Sequence, residues 1–128
     1  MSTRPHSDCF PDGAAAPVAA TARSVSSIFK ACDIRGVVDR DWGTAEAWRI
    51  GGALGRMLRR RDQTMACVGG DFRRTTPALM QAVVEGLLAA GISVGDMGQA
   101  ATPVVYFAGR HLGCPNVVVV TASHNPAP

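Results

Sequence analysis

Four consecutive valines, Val117 to Val120, constrain the fold of this chain more than any other stretch. β-Branched side chains are stiff at χ1 and fit a pleated backbone, and an unbroken apolar run has no polar face to turn to water. The run predicts a strand covered on both faces, as in the parallel sheets of α/β domains. The polar stretch Thr121-Ala122-Ser123-His124-Asn125-Pro126 follows at once. Loops leaving the carboxyl ends of such strands are where open α/β sheets bind ligands. A hydroxyl, an imidazole and an amide therefore stand where chemistry is expected.

The pattern upstream supplies the rest of such a domain. Residues 1–26 combine Ser, Thr, Ala and Pro with no apolar period, and are expected to be a disordered tail. Order is expected from near Ile28, leading through Cys32 into the extended segment Asp33-Ile34-Arg35-Gly36, where Gly36 marks a turn or close backbone approach and Arg35 is displayed. Thr44 is the expected N-cap of a helix with Ala47, Ile50, Leu54, Met57 and Leu58 on its apolar face. Gly51, Gly52 and Gly55 lie within that helix and follow no strand, so close helix packing accounts for them better than a phosphate loop does. Thr64 to Gly69 reads as a strand and Gly69 to Arg74 as its loop. Thr75 or Thr76 then caps a helix with Pro77 in its first turn, an apolar face of Leu79, Val83, Leu87 and Leu88, and a stop at Gly91. Ile92 to Met97 reads as a strand, Gly98 to Ala101 as a loop, and Thr102-Pro103 as the start of a helix through Val105, Phe107, Ala108 and Leu112. Strand, helix, strand, helix, strand predicts a three-layer α/β/α domain over residues 27–128, with a mostly parallel (mixed) sheet and right-handed crossovers.

The totals exclude several functions. At 128 residues, with 47% hydrophobic content, one domain is the upper bound. The net charge of +3 and 5% aromatic content give too little basic clustering and too few stacking rings for nucleic acid. No apolar run is long enough to span a bilayer, and no signal-peptide pattern opens the chain. Cys9, Cys32, Cys67 and Cys114 form no CxxC pair and read as free thiols of a cytoplasmic protein, with Cys67 as a small buried hydrophobe.

Three strands in parallel bring the loops at Gly69–Arg74, Gly98–Ala101 and Thr121–Pro126 to one edge of the sheet. That gathers Asp71, Arg73, Arg74, Ser123, His124 and Asn125, with Arg35 displayed nearby. Arginine forks and helix N-termini suit an anionic, phosphate-bearing ligand. Simple polar turn formation ahead of Pro126 fits the composition equally well. A serine–histidine hydrolase does not fit, because adjacent side chains point apart and no nucleophile-elbow pattern is present. His111 falls near a helix end, where contact with carbonyls is expected.

Four stretches in order resemble the α-D-phosphohexomutase superfamily. Thr121-Ala122-Ser123-His124-Asn125-Pro126 is similar to its phosphoserine loop, and Phe29-Lys30-Ala31-Cys32-Asp33-Ile34-Arg35-Gly36 to its DIRG segment. Gly69-Gly70-Asp71-Phe72-Arg73 falls at its GxDxR position, and Ala101-Thr102-Pro103 at the TP step before a helix. The combination resembles the phosphomannomutase/phosphoglucomutase branch; phosphoglucosamine mutases, where a DGIRG form is usual, are the alternative within the superfamily. Cys32 stands where many relatives have tyrosine, and Gly70 and Phe72 replace commoner polar or small residues.

The resemblance implies a phosphohexomutase interconverting hexose 1-phosphate and hexose 6-phosphate, mannose or glucose, through a bound hexose 1,6-bisphosphate that also acts as activator. It implies Ser123 as phosphate carrier and, through that phosphate, a Mg²⁺ ligand; His124 as a polar contact or acid/base group; and Arg35, Arg73 and Asn125 as phosphate-binding residues. The family's catalytic lysine, metal-binding aspartates, sugar-reading loop and second phosphate loop come after the serine loop. The chain is therefore expected to be a truncated N-terminal domain I, with its sheet incomplete at the C-terminus and inactive alone. A different class of reading is an inert phosphate-binding or interaction module. Oligomeric state is left open.

Overall fold

A computed structural model describes residues 25–122. The greater part of the expected N-terminal tail, and the residues from Ser123 onward, lie outside the described residues. A 3₁₀ turn at Val25–Ile28 leads into a tight antiparallel bridge between Phe29 and Ile34. The Lys30 N–H donates to the Asp33 carbonyl at 2.9 Å and the Arg35 N–H to the Ile28 carbonyl at 2.8 Å. Ile28 is buried, so this small loop is anchored on the core and holds Arg35 outward. Gly36 does mark a close approach: an added Cβ would stand 3.0 Å from Ile28 Cγ2, and the Trp42 indole donates to the Gly36 carbonyl at 3.1 Å.

The turn after Gly36 carries its own electrostatic lock. Asp41 accepts from the Arg40 guanidinium at 2.9 and 3.0 Å and from the Val37 N–H at 2.8 Å. The Arg40 hydrogen bond foremost, then that from Val37, holds the Asp41 carboxyl at about 2, below its ordinary 3.8. A depressed carboxyl stabilises the fold above its unfolded pKa and ceases to as pH falls through the folded one. The turn is thus expected to be intact at pH 4 and above and to loosen between about pH 4 and 2, and a carbon-detected NMR titration of the Asp41 carboxyl should give a midpoint near 2.

Three helices and three strands follow: α1 Thr44–Arg59, β1 Met65–Gly70, α2 Thr76–Ala89, β2 Ser93–Gln99, α3 Thr102–His111 and β3 Val117–Val120. The sheet order is β2-β1-β3, with both pairings parallel, as the alternation of elements predicts. Going from β1 to β2 and from β2 to β3 runs in opposite directions across the sheet, so right-handed crossovers place α2 and α3 on opposite faces. Neighbouring residues of β1 report this directly. A Cβ on Gly69 would meet Val105 of α3, whereas one on Gly70 would meet Thr76 and Met80 of α2. Helix α1 packs on α2, and the core gathers Ala47, Val68, Leu79, Val83, Leu87 and Ile92.

The expected cap of α1 is displaced by one residue. Gly43 occupies the N-cap position, Thr44 is the first helical residue, and the buried Glu46 reaches back to accept from the Gly43 N–H at 2.9 Å. The glycines of α1 act in packing, as their mid-helix position implies. A Cβ on Gly51 would stand 2.2 Å from the Val83 carbonyl oxygen, and one on Gly55 would stand 2.5 Å from Ala90 Cβ. Left-handed glycines terminate α2 and α3, Gly91 at φ +79° and Gly113 at φ +66°.

Several boundaries and faces differ from expectation. β1 extends through Gly70 and β2 through Gln99, so Gly69, Gly70 and Gly98 belong to strands, with a register shift between Val68 and Gly70 marking a bulge. Met57 and Leu88 were expected on apolar helix faces yet are exposed, and of the residues through which α3 was read, Val105 is buried, with Gly109 beside it, while Phe107 and Leu112 are exposed. The valine strand is only partly covered on its two faces. All four residues of β3 are half-buried, because β3 pairs only with β1 among the described residues; β1 is the strand enclosed on both sides.

Candidate functional site

Gly70 pairs with Gln99 of β2 and with Val120 of β3. The three strands thus end level with one another, and their following segments converge as a parallel sheet requires. The Ala100 N–H donates to the Gly70 carbonyl at 2.7 Å, the Asp71 N–H to the Val120 carbonyl at 3.0 Å, and the Gln99 amide to the Asp71 carbonyl at 3.1 Å.

Asp71 is the junction of this edge. Its Oδ1 accepts from the Arg73 N–H at 3.1 Å, an Asx-type turn, and from the Thr76 hydroxyl. Its Oδ2 accepts from the Ala122 N–H at 2.8 Å and the Thr121 hydroxyl at 3.1 Å. Burial pushes this carboxyl up, but the four donors, from Thr76, Ala122, Arg73 and Thr121, together outweigh it and hold the group below the ordinary carboxylate range. Asp71 is therefore ionised at neutral pH, with its acceptor positions taken by protein donors.

Thr76 was one of two expected caps of α2. Thr75 takes the cap position without a side-chain bond, and the buried Thr76 hydroxyl serves Asp71 instead.

A cavity of about 310 Å³ opens beside this junction. Its floor is apolar, with Ile50, Leu54, Val83 and Val118, and its polar side carries Arg35, Arg73, Thr121 and Ala122. Arg35 and Arg73, separated by 38 positions in sequence, thus line one cleft. Arg35 is exposed and pairs with Asp33 at 2.8 Å, which leaves further guanidinium N–H groups for an anion. Ser123, His124 and Asn125 lie outside the described residues; the two residues before them border the cleft and are held by Asp71. Thr76 and Gln99 were not singled out by sequence as members of the site. An aspartate five residues ahead of a threonine at a helix start is the local signal for the first; the second has none, because it depends on β2 ending beside β1.

For the implied Mg²⁺, the described residues hold no group of three His, Cys, Asp or Glu side chains arranged to bind a metal. Asp71, whose carboxylate bonds Thr121 and Ala122 just ahead of Ser123, has its acceptor positions taken by donors and does not fit that role. No described helix is long and apolar enough to cross a membrane. Cys32 is exposed and Cys67 and Cys114 are buried, all as free thiols. Burial first, and the neighbouring Cys114 thiol second, push the Cys67 thiol up, in keeping with a packing role. His111 closes α3 with its ring stacked on Phe107 at 5.9 Å.

Known proteins resemble this chain in sequence and fold. The chain is 45% identical over 98 residues to a phosphomannomutase of Salmonella typhimurium, covering 77% of this chain and 21% of that protein. It is 40% identical over 101 residues to a phosphomannomutase/phosphoglucomutase of Pseudomonas aeruginosa, covering 79% of this chain and 22% of that protein. The fold matches a crystal structure of a phosphoglucomutase/phosphomannomutase family protein from Burkholderia thailandensis with a TM-score of 0.64 and 43% identity, over 65% of this chain and 18% of that one. The chain thus spans about a fifth of the length of the curated relatives it matches. Residues 26–128 match the phosphoglucomutase/phosphomannomutase α/β/α domain I, and the chain belongs to that family.

Proposed function

We propose that this chain carries the serine-bearing part of a phosphohexomutase acting on mannose or glucose phosphates in the cytoplasm. The observation behind this reading is the convergence at Asp71: one carboxylate ties the residues ahead of Ser123 to the turn bearing Arg73, and Arg35 lines the same cleft. In this reading a phosphoryl group on Ser123 Oγ passes to the free hydroxyl of a hexose monophosphate. The P–O bond to the serine breaks as the bond to the sugar oxygen forms, and His124 accepts the hydroxyl proton or orients it. Return of the other phosphate of the bisphosphate to Ser123 Oγ completes the exchange. Arg35, Arg73 and Asn125 hold phosphate oxygens, since planar guanidinium forks match them. Mg²⁺, when bound through the serine phosphate, supplies charge neutralisation at the transferring group.

The second reading is a phosphate-binding module without turnover, for which Arg35 and Arg73 lining one cleft would suffice. Intact mass spectrometry after incubation with glucose 1,6-bisphosphate and Mg²⁺ separates the two. The expected result is one added phosphate in the wild type and none in Ser123→Ala. In a coupled assay with mannose 1-phosphate or glucose 1-phosphate, the 128-residue chain alone is expected to give no turnover. An unmodified wild type would overturn the carrier role.

A further inference from the structure

We infer that Asp71 is a positioning residue that fixes the serine loop against the arginine-bearing turn, a role that rests on Ser123 being the phosphate carrier. The geometry is that of a two-armed clamp. One oxygen takes the Arg73 N–H and the Thr76 hydroxyl, and the other takes the Thr121 hydroxyl and the Ala122 N–H, the last amide before Ser123.

Two features argue for positioning over chemistry or simple solvation. A carboxylate offers about four acceptor sites, and here four donors occupy them, so none is left for a metal ion or a substrate proton. The donors also come from segments about fifty residues apart, which no local turn requires. The backbone of Asp71 is held independently, its N–H by Val120 and its carbonyl by Gln99. The strand ends would therefore stay together without the side chain. What the carboxylate adds is the direction in which the chain leaves β3. It also brings one negative charge close to a site meant for phosphate, a placement tolerable only because the donors are spent on it.

The side chain makes the clamp selective for aspartate. Asparagine has the same shape but one acceptor oxygen, so its NH₂ must face either the Arg73 N–H or the Ala122 N–H, donor against donor. The hydroxyls of Thr76 and Thr121 can turn to accept; the amides cannot.

Amide hydrogen exchange by NMR on the 128-residue chain tests the clamp, with Val68 in the enclosed strand β1 as internal reference. In Asp71→Ala, exchange at Ala122 relative to Val68 is expected to rise by about tenfold to a hundredfold, the worth of a hydrogen bond to a charged acceptor. In Asp71→Asn, which keeps the volume and serves if the alanine variant does not fold, either Arg73 or Ala122 is expected to lose protection and the other to keep it. Ratios within about twofold of wild type in both variants would overturn the clamp.

The functional half is read as the rate at which Ser123 takes phosphate from glucose 1,6-bisphosphate. Asp71→Asn is expected to slow it about tenfold or more at saturation, with a smaller change in the half-saturating concentration, since the serine loop and the Arg73 turn lose their shared tie while Arg35 remains. Equal rates would overturn positioning even with the clamp intact. A wild type that takes no phosphate would instead count against the mutase reading, and the exchange ratios would still decide the clamp.

Discussion

Gly86→Ala is expected to lower the stability of the domain by about 3 kcal/mol or more, a fall in Tm of about 12–24 °C for a domain of this size. Helix propensity alone gives the opposite sign, because alanine in place of a mid-helix glycine gains roughly 1 kcal/mol. The packing decides. A Cβ on Gly86 would stand 2.1 Å from the Trp48 carbonyl oxygen and 2.7 Å from the Gly52 nitrogen, both backbone atoms of α1 that no rotamer change can move. Relief requires α1 and α2 to separate, which loosens Ala47, Val83 and Leu87 in the core. Thermal unfolding followed by circular dichroism measures the effect, with the exposed Ala53→Gly as a propensity control costing only about 1 kcal/mol. A Gly86→Ala protein as stable as wild type would mean that the two helices are not in backbone contact.

Gly70→Ala is expected to damage both the fold and the site. The added Cβ would stand 2.4 Å from Thr76 Cγ2 and 2.9 Å from the Val120 carbonyl oxygen. Thr76 is a donor to Asp71, and the Val120 carbonyl accepts the Asp71 N–H. A methyl group here therefore pushes on two attachments of the same residue. A cost of about 2 kcal/mol in stability is expected from overpacking, and Ala122 should exchange faster than the unfolding equilibrium accounts for. Gly69→Ala is the informative comparison. Its Cβ would meet Val105 at 2.7 Å on the opposite face of the sheet, so it should cost stability without uncoupling Ala122 from the rest of the sheet.

The order of elements was legible in the sequence because apolar positions recur at three and four residues in the helices, β1 and β3 are short apolar runs, and turn residues bound β2. Glycines in the middle of α1 pointed to close packing because their alternative, a phosphate loop, needs a preceding strand. The phase of the faces was less legible. Leu88, Phe107 and Leu112 satisfy a helical period, but whether a helix is covered on one stripe or a wider one depends on its neighbours, and α3 meets the sheet through Val105 and the flat spot at Gly109. The valine run specified an extended strand correctly. It could not specify what covers it, since burial belongs to the neighbours of a strand as much as to its own composition. At the site, sheet topology brought the loop of Arg73 to the edge shared with Thr121, Arg35 was read only as displayed nearby, and a likeness of short motifs pointed to Ser123. The hub role of Asp71 was hidden, because its two arms meet only once β1 and β3 lie side by side.

Folding kinetics follow the same separation: contacts between β1 and α2 close short loops, those between α1 and α2 close about thirty to forty residues, and docking β3 on β1 closes about fifty, the longest closure of the three. The segment ahead of Ser123 takes its direction from a partner that arrives across that long separation. A chain with its helices formed and β3 still undocked has no assembled phosphate cleft, so competence at the serine loop depends on that non-local closure.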